Sequence, residues 1–391
     1  MQADLSELVT ISRTYGSDPE FVLAGGGNTS MKNADAIYVK ASGHALGSID
    51  SSGFMAIDRK KLDRIWSLSY PGRRREREKA VRDDLLALCG SGVPAPWEPA
   101  RREKSGVLDN DAGAGPRPSV ETLMHGVLPG RFVVHTHPCL VNGITCARRG
   151  RQVALRLLGD VACWVSLTDP GYMLARAVRD AVEAFTRERG RAPCAVLMQN
   201  HGLVVCGETT EEIKETTNEI VRRIKAALIR HPDLSLVDVD GDSVQSYERA
   251  LRTFLPASCH IVFEANAEMA RLSASRAAMR PVSSAFSPDQ IVYAGDRPLF
   301  AESPGHAAGE WKKRHMREGA PPKIVVARGL GFFAWGVSEK EARNARVLFL
   351  DAVKVSVYTE SFGGPLFLPS RTISFIKTWE AESYRRRVSG G

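Results

Sequence analysis

No CxxC pair occurs in this chain. Its seven cysteines, Cys89, Cys139, Cys146, Cys163, Cys194, Cys206 and Cys259, are odd in number and scattered, which argues against a disulfide framework and against a thiolate zinc site. Cys163, Cys194 and Cys206 lie in or beside apolar runs and read as small buried hydrophobes. No stretch approaches the roughly eighteen apolar residues of a spanning helix. The opening MQADLSELVTISRTYG carries charges where a secretory signal needs a basic start and an apolar core. A cytoplasmic protein with no membrane partner is expected. The glycine-rich GGGNTS, residues 25–30, lacks both the GxGxxG of a dinucleotide fingerprint and the Lys-Ser or Lys-Thr of a P-loop.

Base-stacking character is lacking too. Lys and Arg total 53 against 45 Asp and Glu, a net +8, but the excess sits in short runs, Arg73 to Arg77, Arg101 to Lys104 and Arg385 to Arg387, without interleaved aromatics. These read as solvated surface, so no nucleic-acid partner is expected. An anionic small molecule suits the charge better. At 391 residues, 43% hydrophobic and 25% charged, the chain is an ordinary globular one that exceeds the reach of a single core.

Residues 4–14 have helical spacing, with Leu5, Leu8 and Ile11 on one face, closed by Asp18 and Pro19. FVLA before the glycines reads as a strand delivering a loop, and AIYVKASG as a second strand ending at Ser42 and Gly43. Together they suggest a hairpin presenting both loops on one side. Residues 70–118, rich in Arg, Pro and Gly, read as a mobile excursion or lid with one helical patch near AVRDDLLALC. Beyond Pro118, SVETLMHGVL is helical, RFVVHTHP is a strand ending in histidines, and ARAVRDAVEAF is a helix. CAVLMQNHGLVVCG is a strand, turn and strand. TTEEIKETTNEIVRRIKAALIRH is an amphipathic helix capped by Thr209 or Thr210.

Periodicity breaks around RHPDLSLVDVDGDS, placing a boundary near residue 233. The expected architecture is α/β: residues 1–233 form a mixed central sheet flanked by helices, and 234–391 a second, smaller, metal-free α/β domain. The second domain echoes the first. AVLMQNHGLVVCGETTEEIKE aligns with KIVVARGLGFFAWGVSEKEARNA, pairing Gly202 with Gly331 and Gly207 with Gly336, while His201 faces Leu330. It reads as a diverged partial repeat that has lost its polar centre, with a chance likeness of two strand, turn and helix units as the alternative.

His135 and His137 alternate at a strand end, so both rings point to one face. Alone, the pair is a weak signal and reads more readily as satisfied strand histidines than as ligands. His201, in Asn-His-Gly at the end of a second apolar strand, changes the weighing. Three neutral imidazoles from two strand ends leave a fourth position open, as catalytic rather than structural zinc sites do. Glu121, on the helix before the histidine strand, is a carboxylate within reach, against a plain capping or dipole role beside Ser119. His125 lies one turn on, either ordering Glu121 or simply packed. The backbone of GGGNTS, with Asn28 and Ser42 as neutral donors, suits an anion; a plain hairpin turn is the alternative. Lys40 would add charge unless strand alternation turns it away.

GGGNTS, the Ser-Gly of VKASG, PSVETLMH, HTHP and NHG, in this order and spacing, resemble the class II aldolase/adducin family. SPDQIVYAG, GLGFFAWG, YTESFGG and FIKTWEAESYRR extend the likeness to the aldolase half of bifunctional rhamnulose-1-phosphate aldolase/alcohol dehydrogenase proteins, without the dehydrogenase half. In family enzymes such as L-fuculose-1-phosphate aldolase, the HxH pair and the later histidine bind zinc. The resemblance thus implies His135, His137 and His201 as ligands of Zn2+, with Co2+ or Mn2+ as variants. It makes Glu121 the acid/base, and Gly27, Asn28, Ser42, Gly43 and Ser119 the holders of a substrate phosphate. Val120 stands where smaller members have a second serine. Tyr172 is a candidate for the tyrosine that protonates the aldehyde.

The resemblance implies a lyase of carbohydrate metabolism cleaving a short ketose 1-phosphate to dihydroxyacetone phosphate and an aldehyde. Breaking that bond leaves an enediolate, which a divalent Lewis acid stabilises, while Glu121 as acid/base contributes roughly 10²- to 10⁴-fold. A homo-oligomer is implied as well. The alternatives are a metal-dependent epimerase, dehydratase or decarboxylase on a sugar phosphate or sugar acid, and a non-catalytic adducin-like interaction protein.

Overall fold

The computed structural model describes residues 4–88, 117–318 and 322–379. Cys89, the basic runs at 101–104 and 385–387, most of the excursion expected at 70–118 and the terminal end of FIKTWEAESYRR lie outside the described residues. By contact the chain divides into two units, Met1–His137 with Leu158–Ile220, and Pro138–Leu157 with Val221–Gly391.

The first unit is built on a seven-stranded mixed sheet. Its strands are β1 (Asn28–Lys32), β2 (Ala36–Lys40), β3 (Phe54–Asp58), β4 (Phe132–Thr136), β5 (Ala162–Val165), β6 (Ala195–Met198) and β7 (Gly202–Gly207). They lie in the order β3-β2-β1-β4-β7-β6-β5, with every neighbouring pair antiparallel except β5 and β6. β1 forms where the glycines end. The strand expected at FVLA is absent: Phe21–Ala24 is turn and coil, and Ala24 and Gly27 both take positive φ, 50° and 74°, which no strand accommodates.

Alternation along β1 assigns the two faces. Thr29 meets Ser12 of the helix Ser6–Gly16, Oγ1 to Oγ 2.7 Å, while Ser30 meets His125 of the helix Thr122–Val127. On the His125 side, Ile37, Val39, Val133, Val196 and Val204 pack with Leu123, Met124 and Val178 in one cluster. Each such fully buried side chain stabilises by roughly 1.5–3 kcal/mol, so this apolar seam fixes the short helix over the sheet. The patch at AVRDDLLALC belongs to the helix Arg74–Leu88, whose Val81 and Leu85 join the same cluster. Thr209 caps the helix Thr210–Lys225, its Oγ1 accepting the Glu212 N–H at 3.2 Å.

The second unit carries β8 (His260–Glu264), β9 (Leu299–Ala301), β10 (Ile324–Ala327) and β11 (Gly331–Gly336), in the order β8-β11-β10-β9. This reproduces β4-β7-β6-β5: two antiparallel neighbours, then a parallel one. The register repeats as well, Val196 facing Val204 as Val325 faces Phe333. Asn200 and Gly329 take the same left-handed conformation in the two turns, φ 56° and 67°. The strand order and pairing that the two sheets share thus cover four strands in each. Pro138–Leu157 also belongs to this unit. Every residue of its helix Cys139–Thr145 is buried, and Gly143 lies against Tyr358 of the helix Glu339–Glu360.

Candidate metal centre

His135 sits near the end of β4 and His137 just past it, two residues on and therefore on the same side. His201 occupies the turn between β6 and β7, where Asn200 adopts the left-handed conformation that Asn tolerates. Because β4 and β7 are paired, with Thr136 opposite Leu203, that turn abuts the end of the histidine strand. Gly202 is needed for closeness as much as for turning: a Cβ there would lie 2.5 Å from the Thr136 carbonyl oxygen and 2.7 Å from His137 Cδ2.

Glu121 completes the group. Its Oε1 lies 3.2 Å from His135 Nε2 and 3.7 Å from His201 Nε2, and the His135 and His137 Nε2 atoms are 3.0 Å apart. One ligand atom from each of the four residues falls within 4.8 Å of all the others. Ligands at ~2.0–2.1 Å around a tetrahedral ion stand about 3.3 Å from one another, so these separations bracket the edge of such a tetrahedron.

The donor chemistry fits a cation as well. His135 Nδ1–H donates to the Leu203 carbonyl at 2.9 Å, which fixes the tautomer and leaves the Nε2 lone pair facing the cluster. Burial, more than the opposing hydrogen bond to the Glu121 carboxylate, holds His201 down to about 4, so its ring is neutral near pH 7. Burial pushes the Glu121 carboxyl up, but the facing His135 and His201 rings outweigh it and hold it well below the usual range. Three imidazole nitrogens and a carboxylate converging on one point are the donor set that a divalent ion such as zinc takes.

A family model described as Class II Aldolase and Adducin N-terminal domain matches residues 6–228. The chain belongs to that family. Class II aldolases depend on a metal, and the four convergent residues can hold one. A curated relative from Bacillus subtilis (strain 168), named Uncharacterized oxidoreductase YuxG, is 32% identical over 229 residues, which are 56% of this chain and 28% of that protein. The chain thus matches well under a third of that relative's length. Among solved structures, the N-terminal class II aldolase domain of a conserved protein from Thermoplasma acidophilum has 27% identity, covering 58% of this chain and 94% of that one, with a TM-score of 0.44. L-fuculose-1-phosphate aldolase from Thermus thermophilus has 16% identity, covering 57% and 92%, with a TM-score of 0.32.

In this class II aldolase-family chain Glu121 is itself the N-cap of the helix Thr122–Val127. Ser119 Oγ accepts the Glu121 N–H at 3.2 Å, so the serine orders the carboxylate's backbone. His125 does not order it through its ring. Its backbone N–H reaches the Glu121 carbonyl at 3.0 Å, while the ring turns to Ser30, Nδ1 to Oγ 2.8 Å, and burial lowers it to about 3.

The loops singled out for an anion meet at the same end of the sheet. Asn28, buried and following Gly27, lies directly opposite His135, and its Oδ1 has no hydrogen-bond partner among the described residues. Ser42 N–H donates to the Arg117 carbonyl at 2.9 Å, next to Pro118 and Ser119, and Gly43 follows with φ 94°. Lys40 is turned away, on the face opposite Ser30's partner Val39, with Nζ donating to the His44 carbonyl at 2.9 Å. Tyr172 packs its ring on Trp66 and Tyr70, at 5.5 and 5.1 Å. The sequence reading missed Ser30 and Lys32. Their signal was a fully buried strand, β1, with polar residues at every second position.

Proposed function

We propose that this protein is a zinc-dependent aldolase that cleaves a short ketose 1-phosphate to dihydroxyacetone phosphate and an aldehyde. The observation that carries the reading is the Glu121 carboxylate, 3.2 Å from a ligand nitrogen of His135: a base held at the rim of a three-histidine site. His135, His137 and His201 would hold the ion, which when bound supplies Lewis-acid stabilisation of the charge left by carbon–carbon cleavage.

The remaining work falls to the chain's own groups. In the synthetic direction the Glu121 carboxylate takes the proton from the carbon that becomes carbanionic, and in cleavage it returns to that carbon the proton first taken from the hydroxyl that becomes the aldehyde oxygen, worth roughly 10²- to 10⁴-fold. Gly27, Asn28, Ser42, Gly43 and Ser119 bind the phosphate, so that binding energy from the unreactive end orients the reacting one. Catalysis stays in the first unit, since the matching positions of the second are apolar. Incubating the zinc-loaded protein with a panel of ketose 1-phosphates and measuring released dihydroxyacetone phosphate tests this. A product with its carbon chain intact would instead identify an epimerase or dehydratase, and a purified protein that takes up no metal would sink the enzymatic reading.

A further inference from the structure

We propose that Lys32 and Ser30 clamp the helix Thr122–Val127 to β1 and thereby set the position of Glu121 in the metal centre. The inference rests on Glu121 acting at a bound ion and concerns what holds it there.

Lys32 is 5% exposed, at the end of β1 remote from the histidines. Its Nζ donates to the His125 carbonyl at 3.4 Å and, more closely, to the Leu128 carbonyl. These two carbonyls belong to the last turn and C-cap of the helix that begins at Glu121. Ser30, two residues earlier on the same face, holds the His125 ring. One strand face therefore carries Asn28 opposite His135, then Ser30 and Lys32 gripping the helix.

A helix of six residues cannot hold itself in place, because isolated helices shorter than about 12–15 residues are marginal in water. Its position is imposed by its anchors. The last carbonyls of any helix also lack intrahelical partners, and a lysine satisfies them while complementing the negative helix end. Burying an ammonium to do so is expensive, and burial drives this lysine down to about 8. Leu123 and Met124 already bury the helix against the sheet, but apolar packing tolerates sliding and a directional hydrogen bond does not. The clamp thus fixes the travel of the helix along β1, and with it the gap between Glu121 and His135. Both side chains act through the helix, so both are positioning residues.

Cobalt(II) titration of the full-length protein, followed by visible absorption, tests the clamp without depending on any substrate. The variants are Lys32→Met, Glu121→Gln and the double variant, with thermal melts to confirm folding. Lys32→Met is expected to weaken cobalt binding about 10-fold, in the range for groups that orient metal ligands. The double variant should bind no more weakly than Glu121→Gln alone, since the lysine acts through the glutamate. Wild-type affinity in Lys32→Met, or losses that multiply in the double variant, overturns the proposal. If Lys32→Met does not fold, Ser30→Ala takes its place under the same criteria. Coupling in the cobalt cycle with no cleavage of any ketose phosphate would uphold the clamp and remove the aldolase reading.

Discussion

Phe263 stands in the second sheet where His135 stands in the first. His135 faces Val204 across β4 and β7, and Phe263 faces Phe333 across β8 and β11, while Val204 and Phe333 hold the same place in their hairpins. Leu330 likewise takes the place of His201, and it is buried in the apolar cluster with Phe333 and Trp335. An apolar core has replaced the ligands, so the chain should bind one divalent ion rather than two. Elemental analysis should return one ion per chain for the wild type and none for His135→Phe. His201→Ala should lower affinity by more than about 100-fold, since it deletes a ligand rather than a group that orients one. A second ion retained by His135→Phe would contradict this.

Glu121 is half-buried, and its backbone is held by Ser119 and His125, so replacing its carboxylate by an amide leaves every one of those ties intact. Glu121→Gln should keep the melting temperature and lose roughly 10²- to 10⁴-fold in kcat. Steady-state kinetics on whichever sugar phosphate the wild type cleaves gives the answer, and unchanged turnover would remove Glu121 from the chemistry.

The metal centre was legible because its logic is local. Period-two spacing puts His135 and His137 on one face, and a turn residue beside His201 presents it at a strand end. The likeness of the two hairpins was legible in the glycine pairs, Gly202 with Gly331 and Gly207 with Gly336, which stand at the two ends of β7 and of β11. The Ser30–His125 pair was not, because it joins residues 95 apart in sequence, and no spacing rule reaches that far. The membership of Pro138–Leu157 was hidden in the same way, because what covers CLVNGIT, the helix Glu339–Glu360, lies far along the chain. At Phe21–Ala24 apolar composition suggested a strand, but positive φ at Ala24 won locally.

Gly143 offers a test of that hidden packing. A Cβ added there would lie 2.3 Å from Tyr358 Cβ and 3.5 Å from its Cα, and no rotamer change moves either atom. Gly143→Ala should therefore cost about 1–3 kcal/mol of overpacking, outweighing the gain from restricting the unfolded chain. Gly241, at the start of its helix with nothing within 4 Å of an added Cβ, provides the contrast: Gly241→Ala should be neutral or stabilise by up to ~1 kcal/mol. Urea unfolding of the two variants measures both, and equal effects would mean that the Cys139–Thr145 helix is not held as closely as described.

Lys32 should also make stability depend on pH in an unusual direction. Burial, its largest influence, lowers the side chain from 10.5 to about 8. Between those values the unfolded chain binds a proton that the folded chain has released, so stability rises with pH across that window. Below about 8 both states are protonated and the full penalty of the buried charge is present. The neighbouring Cys206 thiol cannot offset this, because burial pushes it up to about 12 and it stays neutral throughout. The gain is on the order of 3 kcal/mol over the window. Other titrations cancel when the wild type is compared with Lys32→Met, so the stability difference between them should shift in favour of the wild type from pH 7 to pH 10. Urea unfolding at the two pH values reads that shift directly, and a constant difference would mean that Lys32 is not buried as an ammonium.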